Sequence, residues 1–213
     1  MTNEEWALST SAPAMLEGLY LQDPDNFKTL VPTLHRYFLA CCWKIKHLIP
    51  QKGLRNGLVG AENWIDGLIT YEEFHDLEWH AEAEAFAFEY RSDLEDEEYQ
   101  EYLAGPDHQE TVNEIKALIA SIKELDGMPY EQARQLLMDA AYFTDSAMVY
   151  PTITPAPFDQ LLCTSKFLCP DLLRQYIQPT FEGEPKAKST KDGQTVWRCS
   201  NPDHDHSKPA GNS

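Results

Sequence analysis

The sequence predicts an all-α fold: a single multi-helix bundle around a central helix at about residues 30–49, followed by an irregular C-terminal tail. Apolar residues recur three and four positions apart in one segment after another, which is the period of an amphipathic helix. No stretch alternates between apolar and polar residues for long enough to indicate a sheet. Hydrophobic residues make up 42% of the 213-residue chain and aromatic residues 11%, enough to build one packed core.

The central helix is predicted from LVPTLHRYFLACCWKIKHLI at residues 30–49. Pro32 suits the first helical turn, where its missing N–H costs nothing, and Pro50 ends the helix. At 100° per residue, one arc of about 140° is apolar. Its members are Leu34, Tyr37, Phe38, Cys41, Cys42, Ile45, Leu48 and Ile49. Leu39 and Trp43 form a second apolar strip on nearly the opposite side, so we expect neighbours on two sides of this helix.

Two short helices are predicted before the central one. Thr2 and Glu5 have the spacing of a capping box, which indicates a helix that begins near the N-terminus. Ser11 reads as the cap of a second helix, and QDPDN at residues 22–26 interrupts that helix. After the central helix, QKGLRNG at residues 51–57 is predicted to form a turn.

Four further helical segments follow. One is predicted at about residues 58–68, and Thr70 with Glu73 forms a capping box that opens the next, which extends to about residue 91. Helical spacing resumes at residues 108–125 and again at 129–143. Residues 92–107 between them read either as a frayed helix or as a linker.

The C-terminal part of the chain contains the end of the helical domain and then a polar tail. Residues 150–157, YPTITPAP, contain three prolines and are predicted to be an extended connector. One or two short helices at residues 158–177 then complete a helical domain that spans residues 1–178. Residues 179–213 are rich in polar residues and are predicted to be a weakly ordered tail.

Charge is distributed unevenly along the chain. The net charge is −18, from 35 acidic and 17 basic residues. Residues 72–101 contain 13 acidic residues and only Arg91 as a base, whereas residues 26–61 contain six bases and no acid. This field repels phosphates and disfavours direct binding to nucleic acid. A solvated helix face is the favoured explanation of the acidic run, and a docking surface for a basic partner is the functional alternative.

The predicted setting is the cytoplasm. No apolar run is long enough to cross a membrane, so no membrane association is expected. The first residues, MTNEEWALSTSAP, are acidic where a secretory signal would be basic. Five cysteines spread over the chain are more typical of reduced thiols than of a disulfide framework.

Several short motifs near the N-terminus occur together in one known module. They are TNEEW at residues 2–6, PAMLE at 13–17, FLACCW at 38–43 with Ile45, His47 and Leu48, AE at 61–62, and DG at 66–67. Over residues 1–85 the chain resembles an uncharacterised N-terminal helical domain that recurs in planctomycete-type bacterial proteins. That family commonly has two basic residues after the cysteine pair, where this chain has Trp43 and Lys44. The resemblance implies a helical, bacterial, cytoplasmic protein and carries no established activity.

The leading functional prediction is a non-enzymatic, acidic, helical protein-interaction or regulatory module. Its negative segment would dock on a basic protein, for example a nucleic-acid-binding protein whose basic surface it masks. The predicted partner-binding residues are Glu82, Glu89, Asp93, Glu95, Asp96, Glu97 and Glu98. The chain contains no nucleophile elbow, P-loop, dinucleotide fingerprint or H-E-x-x-H helix, and this favours a function other than catalysis.

A small zinc-binding protein is the alternative prediction. The sequence CSNPDHDH at residues 199–206 places a thiol and two imidazoles within eight residues, and zinc binds both readily. The predicted ligands are Cys199, His204 and His206, with Cys163 and Cys169 available to complete the shell. The paired C-x-x-C units of a zinc ribbon are missing, so a polar tail with incidental histidines competes with the metal site.

Three other residue groups have structural explanations beside functional ones. Cys41 and Cys42 point about 100° apart on a helix, so close helix packing explains them better than a shared metal. His35 and His47 lie off the main apolar arc and would either bind an anion or, as the favoured interpretation, pair with the acidic helix. Glu72 and His75 form a single E-x-x-H unit, which without a second one is typical of a solvated face.

Overall fold

The computed structural model describes residues 1–86, 98, 100, 103–150, 159–179 and 181. All regular structure in these residues is helical, which confirms the predicted all-α class. In chain order the helices are α1 (Asn3–Leu8), α2 (Ala12–Gln22), α3 (Pro24–Thr29), α4 (Val31–Lys44), α5 (Lys52–Ile65), α6 (Tyr71–Ala85), α7 (Pro106–Ala120), α8 (Tyr130–Val149), α9 (Gln160–Cys163) and α10 (Pro170–Tyr176), with 3-10 turns at Lys46–Leu48 and Lys123–Leu125.

Local capping fixes where several helices begin. Both predicted capping boxes are present: Thr2 with Glu5 opens α1, and Thr70 with Glu73 opens α6. The Ser11 side chain accepts a hydrogen bond from the Ala14 amide at the start of α2. Asp23 ends α2 and also caps α3, so the predicted break at residues 22–26 includes the first turn of a further short helix.

The predicted central helix is the most thoroughly buried part of the described chain. Its residues Leu34, Tyr37, Phe38, Leu39, Cys41 and Cys42 are all at most 1% exposed. Burial on both apolar strips is explained by the neighbours of α4, which are α3, α5, α8 and α10. The longest helix of the described ranges, α8, lies beside it and also contacts α5, α6, α7 and α9.

The α-helical part of the central segment is shorter than predicted. It ends at Lys44, and Lys46–Leu48 forms a tighter 3-10 turn in which the Leu48 amide donates to the Ile45 carbonyl. Pro50 disfavours the α-conformation of the residue before it, which accounts for the changed geometry of the last turn.

The predicted turn at residues 51–57 is wrong, because α5 already begins at Lys52. Glycines that suggest a turn lie inside this helix, where they permit close packing. A Cβ at Gly57 would lie 2.6 Å from Met148 Sδ and 2.9 Å from the Cβ of Ala81. The Gly53 amide donates to the Glu84 carboxylate at 2.7 Å. Here tertiary contact with α6 and α8 outweighs the low helix propensity of glycine.

The C-terminal helices close the core against the N-terminus. The Arg174 guanidinium donates to the backbone carbonyls of Trp6 and Ser9 and so ties α10 to α1. The ring of Phe181 lies 5.8 Å from that of Trp6. The connector predicted at residues 150–157 falls outside the described residues beyond Tyr150, and most of the predicted tail does too. In the described ranges, no helix is both long and apolar enough to cross a membrane.

Candidate functional site: an acidic and aromatic face of α6

Helix α6 has one side in the core and another that carries exposed aromatic rings. Its buried side contains Phe74, Ala81 and Ala85, which are at most 1% exposed. On the other side Tyr71 is 48% exposed, Trp79 is 64% exposed and Phe86, the C-cap, is 47% exposed. At 100° per residue, these three rings together with His75 and Glu82 lie within an arc of about 80°.

Three carboxylates lie together where this face meets α8. Glu78 and Glu82 are one turn apart on α6, and Asp145 projects from α8 close enough for both to act on its ionisation. All three side chains are partly buried, and the buried Oδ1 atom of Asp145 has no hydrogen-bond partner in the part of the chain that the structure describes. We call these carboxylates, together with Tyr71, His75, Trp79 and Phe86, the acidic-aromatic face.

The electrostatics of the three carboxylates are unfavourable when all are ionised. Burial first, and then the charges of Glu82 and Glu78, raise the pKa of Asp145 to about 7. Burial and then the charge of Glu82 raise the pKa of Glu78, while His75 acts in the opposite direction. Negative charge is therefore concentrated and partly desolvated here, and a cation placed nearby would stabilise it.

Several other carboxylates in the described chain are bound to internal donors. Asp66 pairs with Arg36 at 2.6 Å, Asp25 pairs with Lys28 at 3.0 Å, and Glu62 accepts from the Trp43 indole at 2.8 Å. By contrast, no ion pair within the described residues involves Glu78, Glu82 or Asp145. Exposed carboxylates such as Glu114 are absent from these ion pairs too, so the three are distinguished by their partial burial and by the effect of each charge on its neighbours.

Aromatic contacts position the face at both ends of α6. The Trp64 ring of α5 stacks on Phe74 at a centroid distance of 5.1 Å and contacts Tyr71 at 5.8 Å. At the other end Phe86 meets Tyr142 of α8 edge to face at 5.6 Å. These contacts hold α6 against α5 and α8 and leave Trp79 between them directed to solvent.

The predicted partner-binding residues are only partly covered by the structure. Glu82 lies at the centre of the acidic-aromatic face, and Glu98 is exposed. The other members, Glu89, Asp93, Glu95, Asp96 and Glu97, lie outside the described residues. Sequence reasoning missed Trp79 and Asp145 as members of a site. Helical periodicity could have identified Trp79, because it lies off the apolar series of α6, but Asp145 joins the face only through tertiary packing.

The predicted zinc site involves mainly residues outside the described part of the chain. This holds for Cys199, His204 and His206. Cys163 is buried, and the partly buried Cys169 accepts from the Lys44 ammonium, with Sγ and Nζ 3.1 Å apart. No group of three or more His, Cys, Asp or Glu side chains among the described residues is arranged so that it could hold a metal ion, and this includes the three carboxylates of the acidic-aromatic face. Zinc binding stays a prediction. A metal count on the purified protein tests it: one zinc retained and then lost in Cys199→Ser would support it.

The remaining sequence candidates have structural roles. Cys41 and Cys42 are fully buried as predicted, and burial raises the pKa of Cys41 to about 11. The favoured pairing of His35 with the acidic helix is wrong, since its imidazole is 3% exposed and contacts the Met148 carbonyl of α8. His47, Glu72 and His75 are exposed.

Comparison with known proteins adds no assignment. No protein-family model, curated protein or solved structure matches this chain. The resemblance of residues 1–85 to the planctomycete-type helical domain therefore stays a prediction.

Proposed function

We propose that this chain is an acidic helical interaction module that docks on a basic protein through the acidic-aromatic face. The observation that carries the proposal is the cluster of Glu78, Glu82 and Asp145, which has no cationic partner among the described residues. Cations on a partner would stabilise these carboxylates in their ionised form, and exposed rings beside them supply apolar contact area. A basic partner thus satisfies both features of the face.

The most concrete form of the proposal is a regulator of a nucleic-acid-binding protein. Such proteins carry the basic surfaces that phosphates require. A chain with a net charge of −18 and an acidic run at residues 72–101 competes with phosphates for that surface. The expected activity is masking: one equivalent of this chain releases the partner from duplex DNA or RNA.

A charge-neutralising variant tests the docking surface. The triple variant Glu78→Gln, Glu82→Gln, Asp145→Asn removes the cluster with little change in size. We expect the wild-type chain to retain its partner at about 50 mM salt and to lose it at about 500 mM, since exposed charge pairs are screened. The triple variant should lose the partner already at the lower salt. Its effect is measured by co-purification and by displacement of the partner from labelled duplex.

The matched control removes the same number of charges elsewhere. Glu4, Glu114 and Asp126 are exposed and lie on other elements. At pH 8, where Asp145 is largely ionised, the variant Glu4→Gln, Glu114→Gln, Asp126→Asn has nearly the same net charge as the cluster variant and should bind normally. If both variants bind equally weakly, net charge and not this face drives association. Recovery of no partner at any salt contradicts the proposal.

A further inference from the structure

The ring most exposed on the acidic-aromatic face is Trp79, and it lies in the middle of α6. Glu78 precedes it in the chain, and Glu82 follows one helical turn later. Side chains three positions apart on a helix are neighbours, with Cβ atoms about 5–6 Å apart. A large, 64% exposed indole therefore has the Glu82 carboxylate beside it on the helix surface.

Arginine is the side chain whose chemistry fits an indole beside a carboxylate. Its guanidinium is planar and weakly hydrated, so it stacks on the ring while its N–H groups donate in the same plane to a carboxylate. A lysine ammonium is a compact, strongly hydrated charge and does not satisfy both groups with one planar surface. An anionic or purely apolar ligand would leave Glu78, Glu82 and Asp145 without a counter-charge.

No ion pair or cation–π contact described for this chain involves Trp79, Glu78 or Glu82. The described cation–π contacts place Lys116 over Tyr130 and Lys166 over Phe167, both far from α6 in sequence. The arginines on α4 and α10 donate to Asp66 and Asp171. Arg55 of α5 donates to the Pro50 carbonyl. Among the described residues, therefore, no arginine or lysine pairs with Trp79 or Glu82, and the indole is exposed.

We propose that the acidic-aromatic face recognises an arginine-bearing segment of a basic protein, with one guanidinium stacked on Trp79 and bonded to Glu82. This inference rests on the proposed docking function and specifies its chemistry. Tyr71 and Phe86, about two turns to either side on the same face, contact the flanking residues of the segment. Asp145 and the remaining carboxylate hold further cations along it.

Two peptides of equal charge test the arginine preference. One is a twelve-residue alanine peptide with four arginines, and the other has four lysines at the same positions. We measure both dissociation constants by calorimetry at about 50 mM salt, where charge pairs are weakly screened. The arginine peptide should bind about two- to five-fold more tightly, which is what an exposed cation–π contact contributes. Trp79→Ala should abolish that preference, and Glu82→Gln should weaken binding of both peptides.

The control is Tyr176→Ala, which removes an exposed ring of α10 outside the face and should leave both constants unchanged. Trp79 is exposed, so circular dichroism should show Trp79→Ala fully folded. Equal affinity for the two peptides, unaffected by Trp79→Ala, overturns the arginine anchor and leaves the docking function standing. Failure of both peptides to bind overturns the anchor and the docking face together.

Self-association is the competing occupant of the same face. If sedimentation shows a dimer that Trp79→Ala converts to monomer, a second copy of the chain covers the ring and the arginine proposal is wrong. A monomer in both proteins supports an open face.

Discussion

His35 is an imidazole surrounded by apolar side chains of the core. Its Nε2 lies 3.1 Å from the Met148 carbonyl oxygen, to which the neutral ring donates. The Trp64 and Tyr150 rings meet it edge to face at 6.2 and 6.0 Å. Burial is the main cause that lowers the pKa of His35 to about 4. The folded state therefore holds this histidine neutral at pH values where the unfolded chain protonates it.

The pKa values of His35 in the folded and unfolded states fix how the free energy of unfolding depends on pH. Between about pH 6.5, the ordinary value, and pH 4 the unfolded chain binds more protons at this position, so stability falls as the pH falls. We expect His35→Phe to be less stable than wild type by about 1–3 kcal/mol at pH 7.5, because the Met148 carbonyl loses its donor. At pH 4.5 the difference should narrow by about 1–2 kcal/mol. Urea unfolding at both pH values measures it.

The matched control is His47→Gln, at an exposed histidine in the segment after α4, which should change stability little at either pH. A difference between His35→Phe and wild type that stays constant or widens on acidification contradicts the buried, neutral imidazole. Other groups titrate in the same range, and comparison with wild type cancels their contributions when they act independently.

The first residue of a helix was predictable where it depends on residues nearby in the sequence. It was not predictable where it depends on packing against other helices. The Thr2 and Thr70 capping boxes form locally, because side chain and amide are three residues apart. The start of α5 depends on α6 and α8, which come close only where a glycine leaves space. Local turn propensity at Gly53 and Gly57 therefore predicted a turn where the structure has a helix.

Substitutions at Gly57 and Gly60 distinguish the effect of helix propensity from the effect of limited space between helices. Alanine favours a helix interior over glycine by about 1 kcal/mol. At Gly57 the added methyl group would lie 2.9 Å from the rigid Cβ of Ala81 and 2.6 Å from Met148 Sδ. At Gly60 its nearest neighbour, at 2.7 Å, is the end of the Leu77 side chain, which can rotate away.

We expect Gly57→Ala to destabilise the protein by about 1–3 kcal/mol, because overpacking α5 against α6 exceeds the propensity gain. The free energy of unfolding of Gly60→Ala should lie within about 1 kcal/mol of the wild-type value. Both values come from urea unfolding. Equal effects at the two positions would show that the packing of α5 on α6 is looser than these distances indicate.

At the scale of the whole molecule, charge segregation was visible in the sequence, but the composition of the face was not. Glu82 was predicted because it belongs to an acidic run that any helix places on its surface. Asp145 is 63 residues away in the chain and belongs to the face only because α8 packs on α6. Whether a hydrogen-bond donor lies beside Asp145 likewise depends on how several helices are arranged, and a periodic pattern does not specify that arrangement.

The same segregation predicts how the isolated protein responds to salt. With a net charge of −18 and carboxylates that lack counter-charges, the compact chain repels itself. Screening should therefore raise the free energy of unfolding, by about 1 kcal/mol between 20 and 500 mM NaCl at pH 8. Urea is the suitable denaturant because it adds no ions.

The cluster variant Glu78→Gln, Glu82→Gln, Asp145→Asn locates the repulsion. It should be more stable than wild type at low salt, and added NaCl should raise its free energy of unfolding less. In the control variant at Glu4, Glu114 and Asp126, added NaCl should raise the free energy of unfolding nearly as much as in wild type. Salt then acts with opposite signs on the two states: it stabilises the free chain and weakens the complex. Destabilisation of the free chain by NaCl would instead mean that ion pairs such as Arg36 with Asp66 outweigh the repulsion, which contradicts this prediction.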